Sequence, residues 1–386
     1  MVTMRGFSIQ RASVTVLLVL GLAAAAGRAT GADGGASPVP SSQASVAPAF
    51  EVFSRFDFVP GEKVVALEDF AQGAIGDFPA TWNTNGAGEI VTVAGKPGRW
   101  LELTKAGVFI PDLAPVLPSD FTLEFDLLVP PTFNSGGLLS ANVVELDDVN
   151  QFAAWQSADN RFTFTAWPGG GPTWQTSMEP RLNGVGVPMV TSETKQPGKT
   201  GAPVHVAVTR QGARVRVYFN EEKMWDIPRA LLPAAKYNTI LFFVYEVDAG
   251  SEYFLSNVRL AVGAPDTRNK LLTQGKWVTT GILFDVNSDR IRPESYGSLK
   301  EIAGVLAENA ALQVHIVGHT DADGNDAANL DLSKRRAASV KSALVSAFKI
   351  DAGRLDTDGK GESEPMDKND SAAGKANNRR VEFIKK

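Results

Sequence analysis

The 386-residue sequence balances 38 Lys and Arg against 43 Asp and Glu, for a formal net charge of −5, with 44% apolar and 21% charged residues and no cysteine. Those values fit soluble globular domains rather than a disordered chain or a helical membrane protein, and they leave no cationic surplus for gripping nucleic-acid phosphates. Zero Cys excludes disulfides, thiolate metal sites, a Cys nucleophile and lipid attachment through an N-terminal cysteine. At this length two domains, each burying its own core, are expected.

In chain order, Arg5 and Arg11 precede an apolar run at 12–26 with a small-residue exit at Ala24-Ala25-Ala26. This is the pattern of a secretory signal, and its apolar core is short for a membrane span. Residues 1–26 are therefore expected to be a cleaved signal peptide. Residues 27–49, rich in Gly, Ala, Ser and Pro, are expected to be a flexible linker.

From 50 to 265 the sequence changes to short runs of period two, separated by Gly, Pro, Asn and Asp clusters. In the run 121–127, Phe-Thr-Leu-Glu-Phe-Asp-Leu, apolar residues take every second position. One face is then expected on a core and the other toward water. The alternation recurs at 162–166, at 204–208 and at 215–219, the last two joined by the hairpin-like turn Gln211-Gly212-Ala213, and the series closes with strands at 239–247 and 253–262. About ten such strands predict an all-β sandwich or jelly roll. His205, between Val204 and Val206, falls on the face expected to meet solvent.

After a polar join at 266–276 the pattern becomes mixed. The spacing predicts a strand over 277–286, a helix over 294–309 introduced by Pro293, and a strand around Val314 and Ile316. A second helix carries Ala337, Val340, Leu344 and Phe348 on its inner face, with Arg336 in its first turn, and strands follow at 354–361 and 378–384. The order βαβαββ describes an α+β domain over 277–386. Within it, Asp321 and Arg336 stand fifteen positions apart across an Asp- and Gly-rich turn. A strand end and a helix start there would bring a carboxylate and a guanidinium to one cleft, a pairing suited to a zwitterion.

The same residues carry a resemblance to the OmpA-like peptidoglycan-binding domain. The matching motifs are Phe284-Asp285 with Ser288, Gly318-His319-Thr320-Asp321, and Asn329-x-x-Leu332-Ser333-x-x-Arg336-Ala337. They continue through Arg354-Leu355, Gly359-x-Gly361-Glu362, Pro365 and Asn369 to Gly374-x-x-x-Asn378-Arg379-Arg380-Val381-Glu382-Phe383. The resemblance implies that Asp321 and Arg336 grip the diaminopimelate of the cell-wall stem peptide, with Thr320, Asn329 and Arg379 in the same pocket. It implies non-covalent binding of peptidoglycan without a cofactor. Lys375 stands where the family usually has Arg, and Lys360 where an aromatic is common.

The stretch 205–228 followed by 253–262 resembles the concanavalin-like lectin and glucanase (laminin-G-like) sandwich. That implies a sheet face able to hold a glycan or a protein, or a spacer. Trp167 and Trp174 flank a Gly-Pro loop and are the candidates for glycan contact, because indole rings on a loop suit sugar faces; aromatics of this size otherwise fill core edges. The string Glu145-Leu146-Asp147-Asp148-Val149-Asn150 approaches a glucanase carboxylate motif, but its last position is Asn150, which cannot deliver a proton as a carboxylic acid does. No catalytic residue, metal ligand set or cofactor is expected.

The leading functional expectation is a non-enzymatic anchor, exported to the periplasm of a Gram-negative-type bacterium and associated with the outer membrane through a partner. Its C-terminal domain would hold peptidoglycan while the sandwich binds a glycan or an envelope protein. An outer-membrane β-barrel with a periplasmic anchor is the first alternative and a wall-anchored glycosidase the second. Charged residues such as Arg214 and Arg216 interrupt the strands, which disfavours a lipid-facing barrel.

Overall fold

The computed structural model describes residues 56–113, 116–134, 136–169, 173–193, 201–263 and 266–386. The expected signal peptide and linker lie outside these, as does the tip of the Trp-flanked loop at 170–172.

The first half of the described chain forms two antiparallel sheets. One runs in the order Glu222–Ile227, Arg214–Phe219, Val204–Gln211, Asp120–Leu128, Tyr253–Val262, Trp100–Lys105 and Ala87–Val91, with Lys63–Glu68 also paired to Tyr253–Val262. The other centres on Arg161–Trp167, Leu139–Val144 and Thr239–Val244. The inward residues of the two sheets share one apolar core, in which Phe125 meets Phe242 edge to face at 5.0 Å and Phe164 meets Phe219 at 5.4 Å. Because both sheets are open and face each other across packed side chains, the domain is a β-sandwich and not a membrane barrel.

The outer face of the first sheet departs from the sequence expectation. Alternation put Leu123, Phe125 and Leu127 inward, as found, but Glu124 and Asp126 on the other side are only 3% and 7% exposed. His205, expected in solvent, is 8% exposed. The reason is tertiary: the C-terminal domain is docked on this face. Arg259 reaches out of the sheet to pair with Glu124 and donates to Thr280 Oγ1 at 2.7 Å. Asn377 holds both the N–H and the C=O of Val64, each at 2.9 Å, so one side chain acts as an extra rung on the Lys63–Glu68 strand. Phe56 and Phe58 fill the gap between Tyr218 and Ala207 of the sandwich and Tyr296 of the first long C-terminal helix. That helix has Gly297 where a β-carbon would come within 1.7 Å of the Phe58 carbonyl oxygen, so only glycine lets the segment pass.

The C-terminal domain has a four-stranded sheet in the order Lys276–Thr279, Val381–Lys385, Val314–His319, Leu355–Gly361. Only the Val314–His319 and Leu355–Gly361 strands run parallel. Helices Tyr296–Glu308 and Asp326–Phe348 bury Leu299, Ile302, Leu306, Ala337, Val340 and Leu344 with Ile316 and Phe383 of the sheet. The α+β order holds for these long elements. Two short helices are additional: Thr267–Thr273 lies in the expected join, capped by Asp266, and Ala372–Asn378 precedes the last strand, capped by Ser371.

Two differences shape the site. The first strand ends at Thr279, and 280–292 instead forms a loop closed by a bridge between Phe284 and Ile291. The long helix begins at Asp326, where the Asn325 side chain accepts from the amides of Ala327 and Ala328. Arg336 is therefore the eleventh residue of the helix, three turns in, and free N-terminal amides contribute nothing to its environment.

Candidate functional site

The helix Asp326–Phe348 is pressed directly onto the strand ends. A β-carbon on Gly318 would sit 2.3 Å from the Ser333 carbonyl oxygen, and one on Gly359 would sit 2.3 Å from the Lys334 nitrogen. That close approach brings Asn329 and Arg336 of the helix to the turn after the Val314–His319 strand. Thr320, Asp321, Asn329, Arg336 and Arg379 then line one cavity of about 450 Å³, together with the 284–287 loop.

Arg336 lies at the centre of this arrangement. Its Nε donates to the Ser288 carbonyl at 3.0 Å and its Nη2 to the Asp285 carbonyl at 3.5 Å, while the guanidinium lies 4.8 Å from the Phe284 ring centre. It is 9% exposed, and among the described residues no carboxylate comes within 4.0 Å of it. Burial, followed by the repulsion of Arg379, pulls its pKa down to about 10, against a smaller opposing pull from Asp321. The group remains charged at neutral pH, buried and without an anion.

Asp321 and Arg336 do not pair with each other. Asp321 Oδ2 instead accepts from Arg379 Nη1 at 2.5 Å, and its Oδ1 accepts from the Asp323 amide at 3.2 Å. In the Asp321–Arg379 pair the carboxylate is the sheltered partner, 13% exposed against 41% for the guanidinium. Asn329 spends its side-chain N–H groups on the Asp323 carbonyl at 3.0 Å, the Asp321 carbonyl at 3.4 Å and the Glu362 carboxylate. Its visible work is to fix the loop that presents Asp321. Thr320 is held by its amide on the Gly361 carbonyl at 2.9 Å, and its buried hydroxyl has no hydrogen-bond partner among the described residues. Lys375, at the rim, pairs with Asp323 at 2.8 Å.

Several contributors, some of them quoted within the motifs, were given no site role from sequence. Phe284 supplies the ring under Arg336. Asn378 accepts from the amides of Met366 and Asp367 and donates to Asn369, whose Oδ1 takes the Ala322 amide; this ties the 366–369 loop to the one carrying Asp321. The far wall of the cavity comes from the sandwich, through residues including Asp69, Asp126, His205 and Asn257. Nothing in the local pattern around 121–127 or 204–208 signals such a role.

The expectation for Trp174 is corrected. Trp174 is fully buried in the sandwich core, edge-on to Phe219 at 6.0 Å, and cannot meet a glycan. Trp167 is half-buried at the end of the Arg161–Trp167 strand. Glu145 of the acidic string accepts from the Asn160 side chain and the Lys236 amide, and Asp148 accepts from Asn150.

With this geometry established, similarity to known proteins falls on the same segment. Residues 283–379 match the model of the OmpA family. The chain is 37% identical over 105 residues to outer membrane porin F of Pseudomonas aeruginosa, which covers 27% of this chain and 30% of the porin. It is 41% identical over 102 residues to the probable lipoprotein YiaD of Escherichia coli, covering 26% of this chain and 46% of that protein. The chain thus spans less than half the length of these two relatives. Among solved structures, the cell wall anchor of the T6SS from Pseudomonas aeruginosa is similar, at 30% identity and a TM-score of 0.26, covering 31% of this chain and 93% of that one.

Proposed function

We propose that the protein binds peptidoglycan non-covalently through the diaminopimelate of the stem peptide, and that this contact anchors it to the cell wall. The observation that carries the reading is Arg336, a buried guanidinium that lines the cavity and bonds to a carbonyl over an aromatic ring, with no carboxylate within 4.0 Å among the described residues. A ligand carboxylate would supply the missing counter-charge in a paired planar contact. Asp321, held in the same cavity, would accept from the ligand ammonium, exchanging part of its bond with the more exposed Arg379. Thr320 offers an unsatisfied hydroxyl beside it, and Asn329 keeps the Asp321 loop in place. The resulting pair of opposite charges matches the amino-acid head of diaminopimelate. The match of residues 283–379 to the OmpA family supports the same reading.

Binding of this kind needs no bond rearrangement and no cofactor. On this reading the protein is exported to the periplasm of a Gram-negative-type envelope, and any association with the outer membrane comes through a partner. The test is co-sedimentation with purified sacculi. Wild type is expected to pellet, and Asp321→Ala and Arg336→Ala to stay in the supernatant; undiminished pelleting of both variants rejects the assignment.

A further inference from the structure

The cavity that holds Arg336 is closed on its far side by the sandwich, and that wall carries its own recognition chemistry. Pairing between Tyr253–Val262 and Asp120–Leu128 shifts register between Ser256 and Arg259. Asn257 sits in this bulge with φ at 52°, a left-handed conformation, and is exposed although its neighbours Ser256 and Val258 are buried. Bulges re-aim a side chain, and strained backbone of this kind persists where the surroundings hold it in place. Here the holding group is Asp126: Asn257 Nδ2 donates to its Oδ2 at 2.6 Å, and its Oδ1 meets His205 Nδ1 at 2.9 Å. With one N–H of the Asn257 amide committed to Asp126, its carbonyl oxygen is available to the cavity as an acceptor beside the second N–H. Asp69, half-buried on the same wall, adds a second acceptor.

The two walls are therefore complementary. The Arg336 side offers donors for an anion, and the sandwich side offers acceptors for N–H groups. A volume of about 450 Å³ lies in the range that holds drug-sized ligands, with space beyond a single amino-acid head. We infer that the sandwich wall is a second subsite, in which Asn257 and Asp69 accept hydrogen bonds from amide or amine N–H groups of the peptide attached to the ligand head held by Arg336. The inference rests on the proposed function for the identity of that head. It makes the sandwich part of the binding site, with Asn257 as a specificity-determining residue.

The test is calorimetric titration of the full chain with two ligands: free diaminopimelate and a tripeptide that ends in diaminopimelate. Asn257→Gly removes the amide yet suits the positive φ, and Asp69→Ala removes the carboxylate acceptor while leaving the bulge intact. Each variant is expected to weaken the tripeptide by about tenfold, the size of one lost hydrogen bond in a closed site, and to leave free diaminopimelate unchanged. Unchanged tripeptide affinity in both variants overturns the inference. Equal weakening of both ligands overturns it too, because the wall would then act on the head or on the cavity shape. Arg336→Ala run beside them separates the two readings: it should lose both ligands, and its failure to do so strikes the proposed function and not the sandwich subsite.

Discussion

Replacing Arg336 with Met separates binding from folding in a way that few substitutions at a buried charge would. A pKa of about 10 in place of the ordinary 12.5 means that folding gives up roughly 3 kcal/mol to keep this cation buried at neutral pH. The direction follows from the sign: a base whose folded pKa is lowered destabilises the fold wherever it is protonated, here below about pH 10. Met, similar in length and apolar, removes that penalty. It also removes the hydrogen bond to the Ser288 carbonyl, the weaker one to Asp285 and the contact with the Phe284 ring, together worth about 2–3 kcal/mol. The terms nearly cancel, so urea unfolding is expected to place Arg336→Met within about 1 kcal/mol of wild type. Affinity for a carboxylate ligand should fall at least a hundredfold, the scale of a lost paired charge contact. A variant destabilised by more than about 3 kcal/mol that still binds would refute the reasoning, since Arg336 would then be structural.

Three further outcomes follow from the same geometry. Glu382 is buried, which alone would raise its pKa, but His319 at 3.6 Å, Lys276 at 2.6 Å and the charge of Arg380 hold it at about 2. Its contribution, about 3 kcal/mol, is fully present above pH 4.5 and is lost as pH falls from there through about 2; denaturant unfolding across that window should show the loss, and Glu382→Gln should flatten it. Glu124→Gln leaves Arg259 buried without its carboxylate and should cost about 3–5 kcal/mol, read as a lower melting temperature and faster proteolysis between the sandwich and the C-terminal sheet. Asn377→Ala strands the N–H and C=O of Val64 and should cost about 2–4 kcal/mol in unfolding experiments while leaving ligand affinity near wild type, because Asn377 is not among the residues lining the cavity.

The architecture was legible where one element could be read alone. The alternation Leu123, Phe125, Leu127 gave the correct inner face, and the spacing of Ala337, Val340 and Leu344 gave the correct helix face. What faces Glu124, Asp126 and His205 was not legible. They are covered by a domain whose Thr280 bonds to Arg259, the partner of Glu124, and which lies more than seventy residues away in sequence; period-two patterning cannot distinguish a solvated polar face from one buried under another domain. The helix start was read too late because Asp326, Asn329 and Asp331 are weak helix formers, although Asn325 ahead of them has the chemistry of a cap. At the site, Thr320, Asp321, Asn329, Arg336 and Arg379 were found through their spaced motifs, and they do converge. Their division of labour was not visible: Asp321 pairs with Arg379, Asn329 serves the loop, and Arg336 alone is left without an anion. Trp174 was misplaced because a Gly-Pro loop reads as display, whereas the ring turns back into the core.

The central claim is recognition of a zwitterionic head by Arg336 and Asp321, and sacculi that differ only at that head test it most directly. Wild-type protein should pellet with sacculi whose stem peptides carry diaminopimelate and remain in solution with sacculi carrying lysine, which lacks the second carboxylate for Arg336. Equal pelleting with both would contradict the account.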